Sequence, residues 1–327
     1  MKLPRRTFLF LSLVLATLPS GSRTGWAQNY PTRQVTMIVP YAAGGPTDVL
    51  ARVLAEKMRA SLGQAVIVEN VPGGGGSIGV GRVARAAPDG YTIDFGNNGS
   101  NVLVGALYSL PFDLISDFEP VAELTTNPQI IISKKAIPAR NLTELITWLR
   151  ENQKKVSVGI AGPVAAASVI NFQDMTSTQL QLVPYRGAAP AIQDLMGGQI
   201  DLMIDQLSNA IPQIKVDTIK AYAVAAKSRS PAAPEIPTVD EAGLPGLYGS
   251  LWHGLWVPKG TPRDVIAKLN TAVRQALVDP TVKQRLADIG QEIVPVEQQN
   301  PRALAAHQKA EIEKWWPIAK AANLKGE

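Results

Sequence analysis

From Val35 onward, short apolar runs alternate with stretches whose apolar residues recur every three or four positions. The run Val35–Val39 has the length of a buried strand and stops at Pro40. A turn of small residues follows, Ala42-Ala43-Gly44-Gly45. Beyond it, Val49, Leu50, Val53, Leu54 and Met58 fall on one face and Arg52, Glu56 and Lys57 on the other. That spacing predicts a helix over 47–62. A strand over 65–69, a glycine loop at 73–76 and a helix from a Ser77 cap to residue 86 come next. Ala87-Pro88-Asp89-Gly90 reads as a turn, and 91–95 as a strand ending in Gly96-Asn97-Asn98-Gly99-Ser100. The order is βαβαβ, which predicts parallel strands joined by right-handed crossovers.

The pattern then changes. Two extended runs, 118–124 and 129–133, are separated by Thr125 to Pro128 and read as strands leaving the first unit. A second α/β series follows. It has strands at 156–158, 180–183, 200–204 and 219–225, and helices at 142–150, 165–174, 190–196 and 209–214. Asn141 is placed to cap the first of these helices. Residues 227–249 are rich in Pro and Gly, as a surface return would be, and 251–257 are apolar and aromatic. Thr261-Pro262 opens a strongly amphipathic helix, followed by a helix at 280–289, a strand at 292–296 and a helix at 301–321. The economical assembly is two α/β domains. The first is discontinuous, 28–124 plus 223–327, and the second is the insert 125–222. Facing strand ends then enclose a cleft, where ligands bind in open α/β sheets.

Charge and composition narrow the setting. Four of the 32 basic residues and none of the 27 acidic ones lie in 1–27, so the remainder carries only +1. No Lys/Arg cluster with interleaved aromatics stands out, and no nucleic-acid partner is expected. Residues 1–27 read as a signal peptide: Lys2, Arg5 and Arg6, then an apolar stretch, then Gly25-Trp26-Ala27. The apolar stretch falls well short of the ~20 residues a membrane span needs. Arg5-Arg6 leaves both general and twin-arginine export open. The expected location is the periplasm. The chain has no cysteine, so disulfides, thiol catalysis and cysteine metal sites are excluded.

Candidate chemistry gathers at strand ends. The loop Tyr41, Ala42, Ala43, Gly44, Gly45 with Thr47 and Asp48 places unpartnered N–H groups at a helix start, which suits an anion. An ordinary turn, with Asp48 offsetting the helix dipole, explains the same residues. The dinucleotide fingerprint and the P-loop pattern are both absent, which disfavours nucleotides. Asn97, Asn98, Gly99 and Ser100 end the third strand with groups that suit polar ligand contacts, and helix capping by Asn98 or Ser100 explains them as well. In the second unit, Ala161, Gly162, Ala165 and Ser168 follow one strand, and Tyr185, Arg186, Gly187 and Ala188 follow the next. Arg186 could pair with a carboxylate or with another part of the protein. Asp205 could meet a ligand or serve a hinge. Only His253 and His307 are available as imidazoles, and no catalytic or metal-binding spacing accompanies them. No catalytic residue, metal or cofactor is expected.

Several segments, in order, resemble the solute receptors of tripartite tricarboxylate transporters, the Bug family. They are VPYAAGGPTD at 39–48, LGQAVIVENVPGGGGSIG at 62–79, APDGYT at 87–92, DFEPVAEL at 117–124, VPYRGAAPAIQDLMGGQIDLMIDQ at 183–206, IPTVDEAGLPG at 236–246 and VPKGTP at 257–262. The resemblance covers essentially the whole mature chain. It implies a two-domain periplasmic-binding-protein fold, type II-like and of flytrap kind. It also implies a small organic carboxylate held between the loops near 41–48, 160–168 and 185–189. Transient partnership with integral-membrane transporter subunits, a monomeric state and no enzymatic activity complete the expectation. A receptor feeding a signalling system and an exported enzyme are the alternatives. One departure matters: family members commonly show Ser-Ala-Gly-x-Gly-Thr/Ser-x-x-His where this chain has Gly159-Ile160-Ala161-Gly162-Pro163-Val164-Ala165-Ala166-Ala167-Ser168. The more apolar wall predicts a ligand less polar than citrate or aspartate, with Trp252 as an aromatic surface or as core.

Overall fold

The computed structural model describes residues 30–185 and 187–321. The proposed signal segment 1–27 and Arg186 lie outside the described residues. Among the described residues, ten strands form two sheets that share one long strand. The first sheet begins with β1 (Val35–Val39), which pairs in parallel with β2 (Val66–Asn70) and β3 (Thr92–Asn97). The helices between them are α1 (Pro46–Leu62) and α2 (Ser77–Ala84). The βαβαβ reading is therefore correct. Gly76, not Ser77, occupies the cap position of α2, and Ser77 is the first helical residue.

After β3 the chain makes a π-helical turn, Gly99–Leu103, that runs into α3 (Val104–Leu107). No hydrophobic periodicity marks this piece, because the turn is buried on all sides. The long strand β4 (Phe118–Lys134) follows. The two runs expected at 118–124 and 129–133 are this single strand. Thr125 and Asn127 do not interrupt it, because both are buried where β4 passes from one sheet to the other. The first half of β4 pairs with β9 (Ser250–Pro258) and the second half with β7 (Leu202–Gln206) and β8 (Ile219–Val224).

The second sheet continues through the parallel strands β5 (Ser157–Ile160) and β6 (Gln181–Pro184). Its helices are α4 (Leu142–Glu151), α5 (Pro163–Thr176), α6 (Ala188–Met196) and α7 (Leu207–Lys215). The Asn141 side chain caps α4 by accepting from the Glu144 N–H at 2.8 Å, as the sequence predicts. The return segment supplies Val239, Leu244 and Leu247 to the core with Ile131 and Phe172, and Ala233 and Ile236 to the core with Ile130. Residues 233–247 thus pack with the second sheet. The chain then closes the first lobe with α8 (Arg263–Val278), α9 (Pro280–Asp288), the two-residue β10 (Glu292–Ile293) and α10 (Pro301–Ala321). The strand expected over 292–296 is cut short at Ile293. Thr261 does not cap α8; its hydroxyl donates to the Pro258 carbonyl at 2.7 Å.

Each lobe has apolar packing on both faces of its sheet. In the first, α1, α8 and α9 cover one face, and α2 and α10 the other. A further cluster of Leu103, Val164, Ala167, Leu251 and Trp315 joins the lobes, with α5 from one side and the π-turn and α10 from the other.

Candidate functional site

Three helices begin in the same manner. The cap residues of α1, α5 and α6 are Gly45, Gly162 and Gly187, and no side chain caps any of them. Proline follows at once in α1 and α5, where its fixed φ suits a first turn. Gly162 and Gly187 have φ of 118° and 124° with extended ψ. That region is open essentially to glycine alone. The N–H groups of each first turn are left without a side-chain acceptor, and each start carries the positive end of a helix dipole.

Two of these starts meet, and the third lies at the same sheet edge as one of them. β5 and β6 are parallel neighbours, so α5 and α6 leave the same edge of the second sheet. Across the gap, a Cβ placed on Gly99 would lie 3.0 Å from the Tyr41 hydroxyl and 3.7 Å from a Val164 methyl. The loop before α1 and the first turn of α5 therefore meet at Gly99. Ala42, Ala43 and Gly44 are exposed there, and Gly45 is half-buried.

A buried polar network fixes the first wall. Asn97, one of the polar group at the end of β3, is its hub. Its Oδ1 accepts from the Tyr41 hydroxyl at 2.6 Å and from the Gly99 N–H at 2.8 Å, and its Nδ2 donates to Thr47 Oγ1 at 3.3 Å. Thr47 Oγ1 also lies 3.1 Å from His253 Nε2, and His253 Nδ1 lies 3.3 Å from Thr125 Oγ1. Burial pushes the His253 imidazole down to about 3, so it is neutral. It bridges two threonines and acts as a spacer.

The remaining candidates divide by what their polar atoms already do. Asp48 is buried, and both its oxygens are filled. Oδ2 accepts from the Gly44 N–H and Arg52 Nε, and Oδ1 from Asn70 Nδ2 and the Arg52 guanidinium. Burial alone would raise its carboxyl; these donors hold it below the usual range. Asp48 shapes the loop and consumes the Gly44 N–H that the sequence offered to an anion. Ser100 is fully buried behind the loop and bonded to Asn97 and Asn101. Asn98 donates to the Ser250 carbonyl at 3.0 Å, and its buried Oδ1 has no protein partner.

In the second lobe, Ala161, Gly162, Gly187 and Ala188 are half-buried, and Ala165 is buried in the first turn of α5. Ser168 lies deeper, with its hydroxyl donating to Gln129 Oε1. Tyr185 turns away from α5 and donates to Asp194 Oδ2 at 2.6 Å. Asp205 is buried and bonded to Asn209 at 3.1 Å; burial pushes it up to about 6. Trp252 belongs to the core, with its indole N–H donating to Glu311 at 3.3 Å. Among the described residues, no group of three or more His, Asp or Glu side chains could hold a metal ion. The loop before α1 and the first turn of α5 thus come together at Gly99, one from each lobe. The wall at α5 is made of Ile160, Pro163, Val164 and Ala165.

A family model described as the tripartite tricarboxylate transporter family receptor matches residues 50–324. The periplasmic binding protein BugD superposes with a TM-score of 0.82 at 40% identity, covering 91% of this chain and 100% of that one. MatC from Rhodopseudomonas palustris, solved with bound malate, gives 0.82 at 39% identity over 88% of this chain and 99% of that one. A second R. palustris protein, solved with adipate, gives 0.83 at 32% identity over 90% and 99%.

Proposed function

This chain belongs to the tripartite tricarboxylate transporter receptor family, and from that premise we propose that it captures a small organic carboxylate between its lobes and delivers it to integral-membrane transporter subunits. The observation that carries the reading is that the helices starting after Gly45, Gly162 and Gly187 have no side-chain caps, with the loop before α1 meeting the first turn of α5 at Gly99. Main-chain N–H groups at helix starts complement a carboxylate in charge and in hydrogen-bond geometry. The ligands of two relatives, malate and adipate, are of this chemical class. The protein works in the periplasm after export on residues 1–27, as a monomer that binds without turnover.

The wall at α5 refines the choice of ligand. Over Ile160 to Ala167 it offers no hydroxyl or imidazole, and the Ser168 hydroxyl is already engaged by Gln129. A ligand tail facing Val164 and Ala165 is therefore apolar, because a polar tail would lose water without gaining partners. Short aliphatic or aromatic monocarboxylates and long-chain diacids fit better than citrate. A thermal-shift panel of benzoate, butyrate, adipate, malate and citrate tests both levels. Stabilisation by the less polar acids is expected. Stabilisation by citrate alone contradicts the apolar tail, and no response to any carboxylate contradicts the reading itself.

A further inference from the structure

Asp94 is a buried acid that the binding role leaves unused. It lies on β3 with 0% exposure, opposite Ile38 of β1 and Trp256 of β9. Its Oδ2 accepts from Asn101 Nδ2 at 2.7 Å, and its Oδ1 has no protein partner. Asn101 Oδ1 accepts from the Ser100 hydroxyl at 2.6 Å, and Ser100 Oγ accepts from the Asn97 N–H at 3.1 Å. Asn97 holds the Tyr41 hydroxyl and Thr47. A continuous chain of bonds therefore runs from Asp94 to the loop before α1. Two glycines leave room for it. A Cβ on Gly96 would lie 1.9 Å from Asn101 Oδ1, and one on Gly99 would lie 2.9 Å from Asn97 Oδ1. The Asn101 carbonyl is fixed from the other side by Gln308 of α10 at 2.8 Å.

We propose that Asp94 is a positioning residue for the solute site. It holds the Tyr41 loop through Asn101, Ser100 and Asn97, and its negative charge, when present, weakens the loop's hold on an anion. The proposal rests on the reading that this loop binds a carboxylate. Burial pushes the Asp94 carboxyl up to about 7, against the opposing Asn101 hydrogen bond. Burial also pushes Tyr41 up to about 12, and the Asp94 charge adds to that rise, so the field of Asp94 reaches the loop.

Other charged or titratable groups on the surrounding elements are engaged elsewhere or exposed. On α2, Arg82 pairs with Glu69, and Arg85 lies just beyond its end. On α10, His307 pairs with Glu123, Glu311 accepts from Trp252 and Trp315, and Arg302, Lys309, Glu313 and Lys314 are exposed. On β9, His253 is neutral. Strand β1 and the π-turn carry no ionisable side chain.

Hydrogen exchange over 41–48 in the ligand-free protein reads the positioning directly. Calorimetric titration with malate and with adipate at pH 6.5 and 8.5 reads the charge. Both acids are doubly ionised over most of that range. Asp94→Ala is expected to speed exchange several-fold and to weaken binding roughly tenfold, as loss of a buried hydrogen-bond partner does. Asn101→Ala, which leaves the acid in place, gives the same exchange result and serves if Asp94→Ala does not fold. Wild-type affinity is expected to fall roughly threefold to tenfold between the two pH values, as a buried charge appears near the anion. Asp94→Asn keeps the chain of bonds, so its exchange stays within about twofold of wild type and its affinity is flat with pH. Unchanged exchange in both alanine variants overturns the positioning role. An undiminished pH effect in Asp94→Asn places its source in another group, such as the buried Asp205, and overturns the charge role. If neither probe binds, the exchange arm still decides the positioning, and the carboxylate reading alone has failed.

Discussion

Asp48 sits in the first turn of α1 and yet directs both carboxylate oxygens at its surroundings: the Gly44 N–H, Arg52 and Asn70. The sequence placed it correctly at a helix start but could not show that its acceptor capacity was filled, because Asn70 lies 22 residues away on another strand. Asp48→Ala is expected to cost about 1–3 kcal/mol, since it leaves buried donors unpaired, and denaturant titration reads that as a lower midpoint. A loss below ~0.5 kcal/mol would remove Asp48 from the loop's support. His253 makes a second test. Its folded pKa, about 3, lies below the ordinary ~6.5 of an unfolded imidazole. The neutral form therefore contributes stability above about pH 6.5 that is lost as the pH falls toward 3. Asp94 and Asp205 are pushed the other way, so the wild-type slope alone is ambiguous. The difference between wild type and His253→Gln isolates the imidazole. Below pH 6.5 the variant should lose stability less steeply, by a difference that grows toward about 1.4 kcal/mol per pH unit near pH 5. Parallel profiles would contradict a neutral buried His253.

At the scale of elements, most helices and strands were legible because their apolar residues repeat at 3.6 or 2 positions. The failures share a physical cause. Gly99–Leu103 is buried all round, so no polar face marks it. Thr125 and Asn127 look like a break in β4 but are buried polar residues at the crossing between sheets. The helix starts were legible only as glycine turns. That α5 and α6 open without side-chain caps at one sheet edge depends on the parallel pairing of distant strands. Gly162 and Gly187 test this level. A Cβ at either would meet nothing within 4 Å, so Gly→Ala acts through the backbone alone, at roughly 1–3 kcal/mol of strain. Relaxation of that strain turns the first N–H groups of the helix. Carboxylate affinity is expected to fall roughly tenfold, equivalent to ~1.4 kcal/mol, with a smaller change in melting temperature than in affinity. Wild-type affinity in both variants would exclude α5 and α6 from the site.

At the scale of the molecule, two sheets share β4, and the chain returns to the first lobe through β9. Leu103, Val164, Ala167, Leu251 and Trp315 form the apolar contact between the lobes. Two lobes joined by few strands can close over a ligand by small changes at the joining segments. Small-angle scattering should then show a smaller radius of gyration in the presence of a bound carboxylate, and an unchanged radius would argue for a preformed closed cleft. In this reading a carboxylate is held by main-chain N–H groups from both lobes. A crystal structure with the carboxylate that stabilises the protein most tests it directly. Carboxylate oxygens are expected within about 3 Å of backbone N–H groups in the first turns of α1 and of α5 or α6. A ligand bound outside this space, or held there by side chains of one lobe alone, would contradict it.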